Sequence, residues 1–347
     1  MVSLAPSTPL PTTADQDETF SALNHDILQT HILTRLDGPT LASVSCASSD
    51  LHSLSSEDKL WQNICTSTWP SVNDPLISTL ISTFPSGHRS FFSDSYPLLH
   101  HQRPSCTNLE ALFPTVTTTE LVSAVDIYYQ NVPIFSKVEK TEAVTGWFLN
   151  SPFRVDLLEP KEFVPTRIQQ VGGEDSWLKQ LEENLTLSWI LIDPKDKRAV
   201  NMSSNRAVSV QRHWLTGEVQ VKFATILGGE RGGGGEKAEV GCEVVVTCGG
   251  KEGGEVQVRD VSMGMEDMEG KALMGKESLV ILKEAMEKGE RKKLVAGKGM
   301  KEKYGEFVER RRERKETKER RENVLDWICI GAGVTCFVAF WSFVLFR

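Results

Sequence analysis

The stretch Gly228 to Lys237, GGERGGGGEK, raises the first chemical question, because glycine-rich loops cradle phosphates when their backbone N–H groups converge. A phosphate loop sits between a strand and a helix and ends in Lys-Ser or Lys-Thr, and the dinucleotide fingerprint GxGxxG opens a helix. Here the glycines fall between two strand-like runs, with Glu230 and Glu236 alongside to repel an anion. The segment is read as a hairpin loop. The tandem His100 and His101 near Cys106 offer metal-ligating side chains, but no second pair stands at ligand spacing. The chain has no GxSxG and no HExxH, and a lone histidine such as His213 reads as an ordinary sheet residue. Neither a catalytic site nor a cofactor nor a metal is expected, and the chain is read as non-catalytic. NLT at Asn184 and NMS at Asn201 match the glycosylation pattern, which stays unmodified in the cytosol.

Composition narrows the class of partner. With 39 basic and 47 acidic residues among 347, the formal charge is −8, so nucleic acid is not an expected partner. The seven cysteines (Cys46, Cys65, Cys106, Cys242, Cys248, Cys329, Cys336) form no CxxC pair. They read as reduced thiols, not as a disulfide framework. Residues 1–20 contain prolines, threonines and acids but neither a basic n-region nor an apolar run, so a disordered leader is expected and not a secretory signal.

The elements around these features come in three kinds. Asp26 to Leu36 carries Ile27, Leu28, Ile32, Leu33 and Leu36 at helical spacing. Gly38 and Pro39 then stop that helix and start another, whose face holds Leu41, Val44, Ala47, Leu51 and Leu54; Asp50 is a candidate break. Ser55 or Ser56 is expected to cap a third piece with Leu60, Trp61 and Ile64, closed by Trp69 and Pro70. Residues 71–116 alternate apolar runs with prolines and serines and read as an irregular connector. Beyond Glu120 the period becomes two. Leu185, Leu187, Trp189 and Leu191 alternate with Thr186, Ser188, Ile190 and Ile192, and Val219, Val221 and Phe223 with Glu218, Gln220 and Lys222. DPKDK at Asp193 to Lys197 and LTGE at Leu215 to Glu218 supply turns, and Ser278 to Gly289 reads as a closing helix.

The chain ends in its strongest physical signal. Trp327 to Phe346, WICIGAGVTCFVAFWSFVLF, holds no charge over twenty residues, which at about 1.5 Å per residue matches a hydrocarbon core of roughly 30 Å. Lys301 to Glu322 before it is a charged stretch with a net of +3 and i,i+4 pairs at Glu306–Arg310 and Glu316–Arg320, so a solvated helical stalk is expected. Its basic excess places it in the cytosol with the rest of the folded part, in a single-pass membrane topology.

With these helices in place, Leu23 to Trp61 resembles the F-box, the module that docks on the Skp adaptor of Skp-cullin-F-box ubiquitin ligases. Leu23 followed by Asp26, Ile27 and Leu28 is similar to the family's leucine-proline-acid-apolar-leucine start, and Ile32, Leu33 and Leu36 to its isoleucine-leucine-leucine continuation. Leu41, Val44 and Cys46 match its second helix, Leu54 its third element, and Leu60 with Trp61 its closing leucine-tryptophan. Asn24 stands where proline is usual, Leu51 where tryptophan is common, and Ser49 where lysine or arginine is usual. The resemblance implies that these matching residues bind the Skp adaptor and through it cullin, that other subunits transfer ubiquitin, and that an unknown protein substrate is recruited elsewhere on the chain. The β-rich part with a terminal apolar segment looks like a group of plant F-box proteins.

The expected fold is therefore α+β. Residues 21–70 form a three-helix F-box, 71–116 a connector, and 117–290 an antiparallel β-rich, substrate-recruiting domain with its closing helix. Residues 291–323 form the charged stalk and 324–346 a transmembrane helix in contact with lipid. A second reading keeps the membrane tether but makes the chain a ligand- or protein-binding module with no ligase role, its helices packed only on their own domain.

Overall fold

The computed structural model describes residues 25–96, 98–101, 118–170, 173–230, 237–250, 253–292 and 298–346. The leader, Leu23, Asn24, Cys106 and the tip of the glycine loop lie outside these residues.

Two antiparallel sheets form the centre, as period-two patterning predicts. The first pairs β2 (Glu120–Tyr129), β3 (Val132–Glu142), β6 (Leu185–Asp193) and β7 (Arg198–Asn201) in the order β3-β2-β6-β7, with β8 (Asn205–Arg206) also beside β6. The second has the order β4-β12-β11-β10-β9, from Arg154–Asp156 (β4), Ser209–Arg212 (β9), Val219–Glu230 (β10), Lys237–Gly249 (β11) and Glu255–Asp267 (β12), with β5 (Val164–Gln169) beside β12. β10 and β11 stay in register to Glu230 and Lys237, with Gly228 and Gly229 inside β10. Gly217 and Lys197 adopt left-handed φ values of 72° and 52° in the two expected turns.

The first sheet is covered on both sides. Leu187, Trp189 and Leu191 face the second sheet, whereas Ile190 and Ile192 on the other face of β6 join Val122, Ala124 and a layer of helices. Alternation therefore persists in β6, but between two cores and not between core and solvent.

That helical layer begins with the short runs His25–Ile27, Leu28–Ile32 and Leu33–Arg35, the second π-type and the third 3-10. It continues as α1 (Gly38–Val44), α2 (Ser49–Ser55), α3 (Asp58–Thr68), a 3-10 turn at Pro70–Asn73, α4 (Pro75–Ser82) and α5 (Gly87–Ser95). Residues 71–96 are thus not the irregular connector that their serines and prolines suggested. Asp74 accepts a hydrogen bond from Leu76 N (2.8 Å) and caps α4, which buries Ile77 and Ile81 one turn apart. Pro75 falls in its first turn, where no hydrogen bond is lost.

A short helix α6 (Gly146–Asn150) and α7 (Glu174–Asn184) lie in the connections of the sheets, and α8 (Gly275–Lys288) closes the domain. α8 begins three residues earlier than its serine suggested, because Glu277 accepts from Met274 N (3.2 Å). β13 (Glu290–Lys292) then pairs with β1 (Leu98–His101).

The last helix, α9 (Lys298–Leu345), is continuous for 48 residues. The expectation of a solvated stalk fails over its first turns: Met300 and Phe307 are buried on the second sheet. Phe307 lies over Gly241, where an added Cβ would stand 3.0 Å from its ring. Arg310 pairs with Glu239 (2.5 Å) and Arg311 with Glu266 (2.8 Å). Of the two expected pairs along the helix, Glu316–Arg320 forms at 3.8 Å, whereas the guanidinium of Arg310 is drawn to the sheet and also donates to the backbone carbonyl of Glu306. Residues 327–346 are exposed throughout, apolar side chains included, among the described residues.

Candidate functional site

The helical layer is built from weak local sequences, and its caps decide where each piece stops. Asp37 accepts from Thr40 N (2.9 Å) to start α1, and Ser48 accepts from Leu51 N (3.2 Å) to start α2. The second helix therefore breaks at Ser45–Ser48, ahead of Asp50. Glu57, not Ser55 or Ser56, precedes α3; the Ser56 hydroxyl turns back to His52 O (2.5 Å) and accepts from Arg89 (2.6 Å). Gln29 donates to Glu57, which ties the first run to α3.

Most of the apolar residues of this unit turn inward. Leu33, Leu41, Leu60, Trp61 and Cys65 pack with Trp69, Phe91 and Phe92. Trp61 donates to Ser55 O (2.7 Å), and its ring meets Phe92 at 5.3 Å, which in turn stacks on Tyr96 at 4.8 Å. Gly38 at the start of α1 leaves room for Phe92, since a Cβ there would stand 2.1 Å from the tip of the ring and displace it. Asp58 accepts from His88 N (2.8 Å) and approaches its Nδ1 (2.9 Å), joining α3 to α5. Sequence reasoning missed α5 altogether. Its signal was the Phe91-Phe92 pair, obscured by Ser90, Ser93 and the fully buried Ser95 around it.

The residues expected to face an adaptor therefore divide. Leu28, Leu33, Leu41, Leu60 and Trp61 are buried, and Leu36, Val44 and Leu54 are half-buried against the same core. Asp26 and Cys46 are exposed, as are Ile27 at 48 % and Ile32 at 42 %. Leu23 lies outside the described residues.

A buried polar seam fixes this unit to the first sheet. Asp126, fully buried on β2, accepts from Ser71 N (2.9 Å), from the Ser71 hydroxyl (2.6 Å) and from the Ser136 hydroxyl (2.7 Å). Burial pushes its pKa up, opposed by those three hydrogen bonds. Tyr128 donates to Thr68 O (2.5 Å) beside it. At the far end of the seam, Asp94 accepts from Ala199 N (3.1 Å) and pairs with Arg198 (3.2 Å) and Arg291 (3.9 Å). Burial raises the Asp94 pKa and lowers that of Arg291. The arrangement holds parts together. Nearby, burial pushes the Cys65 thiol far up, toward its protonated form.

At the other end of the molecule, α9 is the one described helix long and apolar enough to cross a membrane. Thr335 donates its hydroxyl to Gly331 O (2.7 Å), which satisfies that polar group within the apolar stretch.

No family profile matches the chain, and no solved structure matches it. Curated proteins do. F-box protein At2g27310 of Arabidopsis thaliana is 47% identical over 343 residues, 95% of this chain and 97% of the relative. F-box protein At3g44326 of the same plant is 47% identical over 324 residues, 90% of this chain and 87% of the relative. Probable F-box protein At2g36090, also of Arabidopsis thaliana, is 44% identical over 333 residues, 94% of each. Each match spans nine-tenths or more of this chain, and the chain belongs to the F-box protein family.

Proposed function

We propose that this chain is the substrate-receptor subunit of a Skp-cullin-F-box ubiquitin ligase. Its helical layer docks on the Skp adaptor and through it on cullin, the β-rich domain recruits a protein substrate, and the end of α9 holds the assembly at a membrane with the folded part in the cytosol. Ubiquitin transfer belongs to other subunits, and the chain supplies proximity. The observation that supports this most is the split within the F-box-like residues. Among the described residues from Asp26 to Trp61, Ile27 and Ile32 are the large apolar side chains left exposed, whereas Leu33, Leu41, Leu60 and Trp61 pack in the core. An adaptor covering them would gain about 25 cal/mol per Å² of apolar surface removed from water.

The experiment is co-purification with the Skp adaptor from detergent-solubilised membranes. Ile27→Asp with Ile32→Asp is expected to abolish recovery of the adaptor while the protein stays folded. Full recovery would remove the ligase role and leave the alternative, a membrane-tethered binding module.

A further inference from the structure

The turn from β6 into β7 places Lys197 and Arg198 opposite α5, where the helical layer meets the first sheet. Between them lies a cleft of about 270 Å³, lined on the helix side by Ser86, Arg89, Ser90 and Ser93. These residues recur at intervals of three and four, so α5 turns one polar face to the cleft while Phe91 and Phe92 are buried on the other.

The charge of this cleft has one sign. Its lining holds Arg89, Lys197 and Arg198 against a single carboxylate, that of Asp94, a net of +2. Asp94 is already taken: it accepts from Ala199 N (3.1 Å) and is flanked by Arg198 at 3.2 Å and Arg291 at 3.9 Å. Two guanidiniums thus share one carboxylate before Arg89 and Lys197 are counted. Arg89 donates to the neutral hydroxyl of Ser56 (2.6 Å), and Lys197 forms no ion pair among the described residues. The other acids of the turn are engaged elsewhere, Asp193 by the Thr118 hydroxyl (2.6 Å) and Asp196 by Lys283 (3.0 Å).

Donor capacity is left over as well. The Nε of Arg198 is buried and makes no hydrogen bond, although it stands beside Asp94. The Ser90 hydroxyl accepts from Ser86 N (3.1 Å), which leaves its proton for an outside acceptor. Charge balance then decides among anions. A carboxylate neutralises one positive charge and offers two oxygens, whereas a phosphomonoester carries about −1.5 to −2 at neutral pH and offers three acceptor oxygens. The second matches both the net +2 of the lining and its surplus of donors.

We propose that the cleft between α5 and the β6–β7 turn is a binding site for a phosphate group. Lys197 and Arg89 supply the charge, Arg198 its spare donor capacity, and Ser90 and Ser93 neutral donors. Because the lining comes from both elements, a bound phosphate bridges the helical layer and the first sheet, at the end of the seam away from Ser71 and Asp126. The site is a property of this fold and stands independently of the receptor reading above.

The test is calorimetric titration of the full chain in detergent, at ionic strength fixed with sodium chloride. Three probes are used: inorganic phosphate, a hexapeptide bearing one phosphoserine, and the same peptide with serine. Saturable binding of inorganic phosphate is expected, weakened about tenfold in Lys197→Gln and again in Arg89→Gln, the loss of one charge-assisted contact each. Lys197 is exposed on its turn, so Lys197→Gln keeps the thermal midpoint measured in chloride and reads the site alone. Tighter binding of the phosphoserine peptide than of inorganic phosphate assigns the group to a polypeptide; binding of inorganic phosphate alone assigns it to a small solute. No saturable binding of either phosphate probe, equal binding of the serine peptide, or affinity unchanged in both variants overturns the proposal.

Discussion

Ser71 and Asp126 are joined twice, by a backbone N–H at 2.9 Å and a hydroxyl at 2.6 Å, across the boundary between the helical layer and the first sheet. The consequence is mechanical. In the proposed receptor role, a fixed angle between the docking and the recruiting surface favours transfer by proximity, and a buried, fully bonded carboxylate would hold the helical layer at one angle to the sheet. Asp126→Ala leaves the Ser71 N–H and two hydroxyls without a partner inside the protein. It is expected to cost about 2–4 kcal/mol, measured as a shift of the urea midpoint.

The same carboxylate gives a pH dependence of unusual sign. Its pKa is raised in the folded state, so the folded protein binds this proton more readily than the unfolded chain, and the contribution to stability grows as pH falls. The stability difference between the unsubstituted chain and Asp126→Asn is expected to widen from neutral pH down through the carboxylate range. Denaturation series at several pH values check this, and a difference that narrows in acid would contradict it.

Surface and core positions of the F-box-like unit should separate cleanly. Trp61→Ala removes a buried ring that touches Phe92 and is expected to destabilise the protein by about 3–5 kcal/mol. Ile27→Asp with Ile32→Asp should leave the thermal midpoint nearly unchanged. Leu28→Asp is a poor probe of docking, because Leu28 is buried and its loss would mix unfolding with lost contact.

Phe307 is the apolar anchor of α9 on the sheet. Phe307→Ala is expected to cost about 3–5 kcal/mol of local packing, and Phe307→Asp to free the first turns of the helix. Limited proteolysis reads the outcome as new cleavage at the lysines and arginines between Lys301 and Arg311. Protection equal to the unsubstituted chain would show that the ion pairs suffice.

Topology can be read with glycans. In microsomes, an acceptor site appended after Arg347 is expected to be glycosylated, while Asn184 and Asn201 stay unmodified. The readout is the shift in gel mobility that glycosidase reverses. A glycan on Asn184 would invert the proposed orientation.

The sequence by itself determined the parts whose physics is local. Period-two runs marked strands such as β6 and β10, LTGE and DPKDK marked turns, and twenty uncharged residues at the end marked a long apolar helix. F-box-like spacing from Asp26 to Trp61 was also legible, because it is a pattern of side chains at known offsets. Tertiary structure alone decided which of those side chains remain available. Leu33 and Trp61 look like Ile32 in sequence, yet α5, unrecognised among its serines, brings Phe91 and Phe92 to bury the first two and leaves Ile32 outside. It likewise decided that a stretch rich in charge lies down on a sheet. A single phenylalanine meeting a glycine sixty-six positions away is a contact no periodicity reports, since burial depends on what folding brings opposite a residue, and helical spacing records only its neighbours along the chain.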